Sequence, residues 1–359
     1  LNSKTDTGDL CPYLCAVNVI QGSFDLSTIK ECKIEEKDKR RYLLKKGDLL
    51  ICEGGDAGRC AIWEDGREMF YQNALHRVRA KDNAYNYFLM FYLHYLKKNG
   101  TIDKLSKGVT IKHFSKTALS SLIVPLPPLS EQRAIAEELD GIQSMIGKCR
   151  EQLEDYDRLA RSIFHEMFGD PVRNDKGWEV KKLTSIAPIC QYEGEINNKK
   201  VWLLNLDMIE KDKGTLIEKV YVSLKDVGNS TIKFNEENVL WSKLRPYLNK
   251  VLIPDSCGYG TSELIPLKPN NKDISPIFLS MLLRSQSFVD LVNAGTEGAR
   301  MPRANMNAFR NFSCGVPPLP LQQQFATRIE AIEAMKEATK AQLADLQQLF
   351  DSRMQYYFS

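Results

Sequence analysis

The sequence predicts a mixed α+β chain in which two globular α/β regions alternate with two long helices. The helices pair as an antiparallel coiled coil, and a pseudo-two-fold internal repeat relates the two halves. Two observations predict this. First, residues 127–168 recur at 317–358 without a gap, one copy sliding onto the other by 190 positions. Pro127/Pro317, Pro128/Pro318, Leu129/Leu319, Gln132/Gln322, Ala136/Ala326, Met145/Met335, Gln152/Gln342, Leu153/Leu343, Asp155/Asp345, Ser162/Ser352 and Phe168/Phe358 are identities. Second, the first copy places Ile135, Leu139, Ile142, Ile146, Cys149, Leu153, Tyr156, Ala160, Ile163 and Met167 at alternating steps of four and three, the seam of a coiled coil. The second copy repeats the seam with Phe325, Ile329, Ile332, Leu343, Leu346, Phe350 and Tyr357. There Lys336, Thr339 and Arg353 interrupt it, as polar residues do where register matters more than stability. Each helix is expected to run about 35 residues, hence about 50 Å, with Ser130 as a cap at the start of the first.

The remaining elements follow the same offset. Residues 13–19 and 203–209 alternate as strands leading into polar loops, and residues 45–51 and 237–241 turn into a second strand. A loop follows each, at 53–59 and 242–250, then strands at Ala61-Ile62 and Val251-Leu252. Helices are predicted at 86–97 and 276–288, where Phe88/Phe278, Leu89/Leu279 and Leu93/Leu283 are identical. Segments 108–114 and 298–305 precede a short helix through Ala118 or Ala308 and a strand into each double proline. The boundaries are therefore 1–127, 128–168, 169–317 and 318–359. Residues 178–188, which open the second repeat, have no counterpart in the first, because Leu1 aligns near Gln191; the first repeat is expected to lack its opening segment.

A length of 359 residues with ordinary apolar and charged fractions suits two or three domains, each able to bury a core. No run of about 18 uncharged apolar residues and no signal peptide is present, so no membrane is expected and the cytoplasm is the default location. Nine cysteines without paired metal spacing read as reduced, mostly buried thiols; Cys11 and Cys15 are the closest pair. The formal charge of +3 identifies no partner by itself. The long helices hold many carboxylates, which leaves the excess positive charge to the regions between them.

Catalytic motifs do not emerge. Phosphate-loop, dinucleotide, nucleophile-elbow and zinc-protease signatures are missing, as is the Asp/Asn-Pro-Pro-Tyr/Phe motif of adenine methyltransferases. Gly54-Gly55-Asp56-Ala57-Gly58 reads as a tight turn, and His76, His94, His113 and His165 are scattered. The candidate site is instead a pair of loops in each repeat. Lys107, Thr110, Lys112, His113 and Lys116 lie in the first, and Arg300, Arg303, Asn305 and Arg310 at the matching place in the second. Arg59 in one repeat and Lys243, Arg245, Tyr247, Asn249 and Lys250 in the other form a second surface. Arg, Lys and Asn reach phosphates and the edges of guanine and adenine in a major groove. A solvated basic loop is the other reading, and residue type alone does not decide between them.

Residues 125–136 (Pro-Leu-Pro-Pro-Leu-Ser-Glu-Gln-Arg-Ala-Ile-Ala) and 316–326 (Val-Pro-Pro-Leu-Pro-Leu-Gln-Gln-Gln-Phe-Ala) each close a globular region and open a heptad helix. With Gly-Trp-Glu-Val-Lys-Lys-Leu at 177–183, the chain resembles the specificity (S) subunit of type I restriction-modification systems over essentially its whole length. The resemblance implies two target recognition domains, 1–127 and 169–317, and spacer helices at 128–168 and 318–359. Each domain would read one half of a bipartite, asymmetric double-stranded DNA target. It also implies a non-catalytic chain without cofactors of its own, docking two methyltransferase (M) subunits and joined by restriction (R) subunits; S-adenosylmethionine, ATP and Mg²⁺ would sit on those partners. The specificity subunit of a type II enzyme of similar layout, and a coiled-coil scaffold indifferent to DNA, remain the alternatives.

Overall fold

The computed structural model describes residues 7–108, 112–196, 198–294 and 301–359. The chain divides into two compact units whose boundaries cut across the sequence repeat. Unit 1 holds residues Leu1–Arg150 and Ala341–Ser359, and unit 2 holds Glu151–Lys340. Each long helix, Leu129–Phe168 and Leu319–Phe358, thus starts in one unit and ends in the other. Both are 40 residues long and begin directly after the double proline, so Ser130 lies inside the first turn instead of capping it.

In unit 1 the run Asp48–Cys52 is wholly buried, as a central strand should be, and pairs antiparallel with Cys60–Trp63 on one side and Leu75–Val78 on the other. A second sheet joins Asp9–Leu14 to Lys30–Ile34 and Phe70–Tyr71. The helix Asn86–Lys98 lays Phe88, Phe91 and Leu93 into a core shared with Leu49, Ile51 and the start of the first long helix.

Unit 2 repeats the plan, with Val239–Ser242 between Val251–Leu252 and Leu264–Leu267. A second sheet is four-stranded, and Trp202 and Phe234 meet there edge to face at 5.0 Å. The described cysteines are all free, and all but Cys190 and Cys257 are buried. Among the described residues no helix is long and apolar enough to cross a membrane.

Gln132 and Gln322 explain why the proline–glutamine motif recurs. Both are fully buried. The Oε1 of Gln132 accepts from Tyr85 N–H at 2.9 Å, while its Nε2 donates to the carbonyls of Asn83 (3.0 Å) and Pro127 (2.8 Å). Gln322 makes the same three bonds with Ser275, Asp273 and Pro317 at 2.8, 2.9 and 2.8 Å. One amide satisfies a helix entry and the double-proline turn at once, and no other neutral side chain of that length both donates and accepts.

Within unit 2 the helices run antiparallel: Asp157 faces Lys336, and further along Phe164 and Phe168 pack on Phe325. In unit 1 Glu138 accepts from Arg353 and from Tyr357, and the Arg353 hydrogen bond holds its carboxyl below the usual range. The predicted seam holds from Ile135 to Cys149 and from Phe325 to Ile332. It shifts at the helix ends, where Phe164 and Met354 are buried, and Ile163, Met167 and Tyr357 only partly so. A straight helix drifts from a strict heptad, and the last turns face a globular core instead of a helix, with Phe168 against Phe278 and Phe358 against Phe88.

Four further expectations change. The strands expected over 13–19 and 203–209 stop at Leu14 and Leu204 and pass into single 3-10 turns, Ala16–Asn18 and Leu206–Met208. Buried Asn18 enforces the first by accepting from Cys15 N–H at 3.0 Å. The helix expected over 276–288 breaks into Pro276–Leu283 and Gln286–Asn293, because the Ser285 hydroxyl caps a new start. Finally, the strand into the double proline exists only in repeat two, as Ser313–Val316 paired with Glu179–Lys182.

Candidate nucleic-acid interface

The two loops singled out in each repeat are brought together by the same backbone bond. Phe114 N–H donates to Glu53 C=O in unit 1, and Ala304 N–H to Lys243 C=O in unit 2, both at 2.7 Å. Beside this bond His113 approaches Gly54, and at the matching place Leu244 bridges to Arg303. The fold therefore builds one composite surface per unit from segments about 60 residues apart.

In unit 1, Lys107 and His113 exchange backbone hydrogen bonds (3.0 and 2.8 Å) that close the second loop. Lys107, Lys112, His113 and Lys116 are exposed, and Lys112 lies 3.5 Å from Asp103. The first loop turns at Gly55 and Gly58, both at positive φ. A Cβ on Gly58 would sit 2.7 Å from Ile102, so only glycine fits.

In unit 2, Arg303 is exposed and donates through Nη2 to Glu263 at 2.7 Å and through Nε at 3.2 Å, while Lys243 approaches the same carboxylate at 4.0 Å. The Arg303 hydrogen bond, and then the nearby charges, pull the Glu263 carboxyl below its ordinary pKa against burial. Arg245 adopts a left-handed conformation (φ 48°) and donates its N–H to Pro302 C=O at 2.8 Å. A non-glycine residue there carries strain, and such strain gathers where a loop is held for use. Tyr247 is exposed beside it. Arg310 is exposed in the last turn of Met306–Asn311.

Three of the predicted residues are turned to internal work. Arg59 Nη2 donates to Ala16 C=O at 2.8 Å, and Lys250 Nζ donates to Leu206 C=O, the carbonyl at the matching position. Each repeat thus pins its first loop to its 3-10 turn with one basic side chain. Burial pushes the Lys250 ammonium below its usual pKa. Asn305 caps Met306–Asn311 by accepting from Asn307 and Ala308 N–H at 3.1 and 3.0 Å. Asn305→Ala is expected to cost about 1 kcal/mol in urea denaturation; no change would show that the cap is dispensable. Thr110 and Arg300 lie outside the described residues.

Two residues of the surface escaped sequence reasoning. Glu263, which orients Arg303, has Ala74 at its structural counterpart, where Glu53 N–H donates to Ala74 C=O just as Lys243 N–H donates to Glu263 C=O. Arg284 lies under the 242–250 loop, accepting from Asn249 Nδ2 on its carbonyl at 2.9 Å, with its buried Nε lacking an acceptor. Burial lowers its pKa.

Fold and surface together define a class: an internally duplicated α+β protein whose two repeats present the same loop pair with different side chains, each repeat closed by a long helix. Residues 4–154 and 175–348 match the type I restriction modification DNA specificity domain. The chain belongs to that family. It is 21% identical over 327 residues to the putative type I restriction enzyme MjaX specificity subunit of Methanocaldococcus jannaschii, covering 85% of this chain and 76% of that one. It is 22% identical over 338 residues to the EcoBI specificity subunit of Escherichia coli, covering 84% and 70%. The crystal structure of a type I restriction-modification S subunit from M. genitalium shares the fold, with TM-score 0.55 and 14% identity over 98% of this chain and 88% of that one. A chain of a type I restriction-modification system solved in a study of its assembly matches equally, with TM-score 0.55 and 15% identity over 98% and 92%.

Proposed function

We propose that this chain is the non-catalytic, DNA-reading subunit of a type I restriction-modification enzyme, each repeat reading one half of a bipartite target. The observation that carries this reading is the recurrent loop pair. One backbone bond joins the loops in both repeats, yet His113 and Gly54 stand in one where Arg303 and Leu244 stand in the other. Equal scaffolds with unequal side chains suit two different half-sites. The long helices would set the spacing between the half-sites and dock methyltransferase subunits, with restriction subunits joining them. S-adenosylmethionine, ATP and Mg²⁺ are assigned to those partners, because turning an adenine out of the stack and methylating it needs an enclosed pocket of its own.

The test is duplex binding by the assembled chain and methyltransferase at fixed, moderate salt, with each half-site varied in turn. Arg303→Ala is expected to weaken or relax recognition of one half-site by about 1–3 kcal/mol, roughly 5- to 150-fold, and to leave the other unchanged. Equal loss at both half-sites would overturn the assignment of one half-site per repeat. Equal affinity of the unaltered complex for all duplexes would overturn the function itself.

A further inference from the structure

Beside the 242–250 loop, unit 2 holds a recess of about 450 Å³. Its walls are the end of the first long helix, the turn that follows at 169–173, Asp212, Asn249 and the two helices that meet at Arg284 and Ser285. Two guanidinium groups line it, those of Arg161 and Arg284, and neither has a carboxylate within ion-pair distance among the described residues. Arg161 donates through Nε to the Asp157 carbonyl at 3.3 Å, and the Arg284 Nε is buried without an acceptor. The turn at 210–214 packs onto Arg284, since a Cβ on Gly214 would clash with its Nη1. Burial, and after it the charge of Arg161, lower the Arg284 pKa against the pull of Asp157, Glu333 and Asp212.

The acids in the wall already have donors. Asp170 accepts from the Ser287 hydroxyl and from Val172 N–H (2.9 Å) and lies 3.5 Å from Arg173; Asp290 accepts from Gln286 Nε2 at 2.7 Å, and Asp212 lies 3.7 Å from Lys211. Positive charge is therefore left over at Arg161 and Arg284, and a buried charge without a partner is costly until an anion meets it. Asn249 adds a second orphan. Its Nδ2 donates to Arg284 C=O at 2.9 Å, which fixes how the amide is turned and leaves Oδ1 buried without a donor.

Repeat one shows that the position itself does not require free cations. Its counterparts of Arg284 and Arg161 are His94 and Asp351; Lys98 pairs with Asp351, and His94 packs on Phe350. There the charge is balanced within the protein, and in repeat two it is not.

We infer that this recess is a seat for a phosphate that still carries a proton, as inorganic phosphate or a phosphomonoester does. Its ionised oxygens accept from Arg284 and Arg161, and its P–OH donates to Asn249 Oδ1. A phosphodiester has no such hydrogen and sulfate has none at neutral pH, so both leave the Asn249 oxygen unserved. The seat stands on the residues of the recess and does not depend on DNA reading.

The test is titration calorimetry of the full chain, without DNA and at constant ionic strength. Inorganic phosphate is expected to bind saturably at one site per chain and about tenfold or more tighter than sulfate, which leaves a buried acceptor unpaired. Arg161→Gln, at an exposed position where folding is not at stake, should weaken phosphate about tenfold. Arg161→Asp together with Arg284→His, the pair that repeat one uses, should abolish binding. Adenosine monophosphate titrated alongside separates the sources: tighter binding than phosphate assigns the recess to a monoester, weaker binding to the free ion. No saturable phosphate binding overturns the inference, as does binding unchanged by Arg161→Gln, or sulfate held as tightly as phosphate. Displacement of the phosphate by a duplex without terminal phosphates, in the complex with methyltransferase, would give the seat to the DNA backbone and overturn it too.

Discussion

Replacing Asp157 by alanine is expected to destabilise the protein by about 3 kcal/mol, the cost of leaving the buried Lys336 ammonium with Glu333 as its one remaining carboxylate among the described residues. Asp157 and Lys336 each keep only 6% of their side chains exposed and meet at 2.9 Å, and Lys213 reaches the same carboxylate at 2.6 Å. Burial opposes ionisation of Asp157, but hydrogen bonds from Lys213 and Lys336 outweigh it and hold the carboxyl below its ordinary pKa. A depressed carboxylate contributes stability above its unfolded pKa, about 3.9 for aspartate, and that stability is lost as pH falls through the folded value. Burial likewise disfavours the Lys336 charge, yet the hydrogen bonds it donates to Asp157 and Glu333 raise its pKa, so its contribution holds below the unfolded lysine value and fades as pH rises through the folded one. Urea denaturation between neutral pH and pH 3 checks the carboxylate sign: the unaltered chain should lose stability towards acid, and Asp157→Ala should lose less. Asp157→Leu combined with Lys336→Met should recover most of the loss, since apolar replacement of a buried pair is often neutral or better. A loss below about 1 kcal/mol for the single change would mean that water reaches the pair.

Gln322→Ala should be comparably damaging. It deletes three hydrogen bonds at a fully buried position and leaves Ser275 N–H and the Asp273 and Pro317 carbonyls unpaired. Each stranded buried group costs about 1–3 kcal/mol, so a total near 3 kcal/mol or more is expected. Gln132→Ala, with the same geometry in the other repeat, should cost about as much. Calorimetric or urea midpoints that separate the two changes widely would show that one unit tolerates an open helix entry. Gln322→Glu distinguishes the donor role, because a carboxylate can replace Oε1 but cannot donate to the two carbonyls.

Much of this architecture could be read before any coordinates, for a physical reason. Duplication shows up as identical spacing, and a long apolar seam has a period that few other structures share. Residues whose role depends on where a side chain turns were less legible. Arg59 and Lys250 look like exposed basic loop residues, yet both reach inward to a carbonyl that no local pattern reveals. Asp157 reads as one more surface carboxylate of an acidic helix, and its counterpart Gln347 gives no hint of a charge pair. The break at Arg284 was hidden because Pro276–Leu283 and Gln286–Asn293 together look like one apolar helix until the cap at Ser285 is seen. The strand expected before Pro127 does not form, because residues 121–126 have no pairing strand of the kind that Glu179–Lys182 gives Ser313–Val316.

The polar contacts between the long helices have diverged since the duplication. Were two copies of the first half to associate, the carboxylate of Asp157 would confront Ile146, which stands where Lys336 does, and Glu138 would confront Ile163 and Met167. Two copies of the second half would set Lys336 against Gln347 and Arg353 against Arg328. Neither like-with-like pairing would reproduce the Asp157–Lys336 or the Glu138–Arg353 contact, so the polar pairs that join the long helices each take one partner from either half of the sequence.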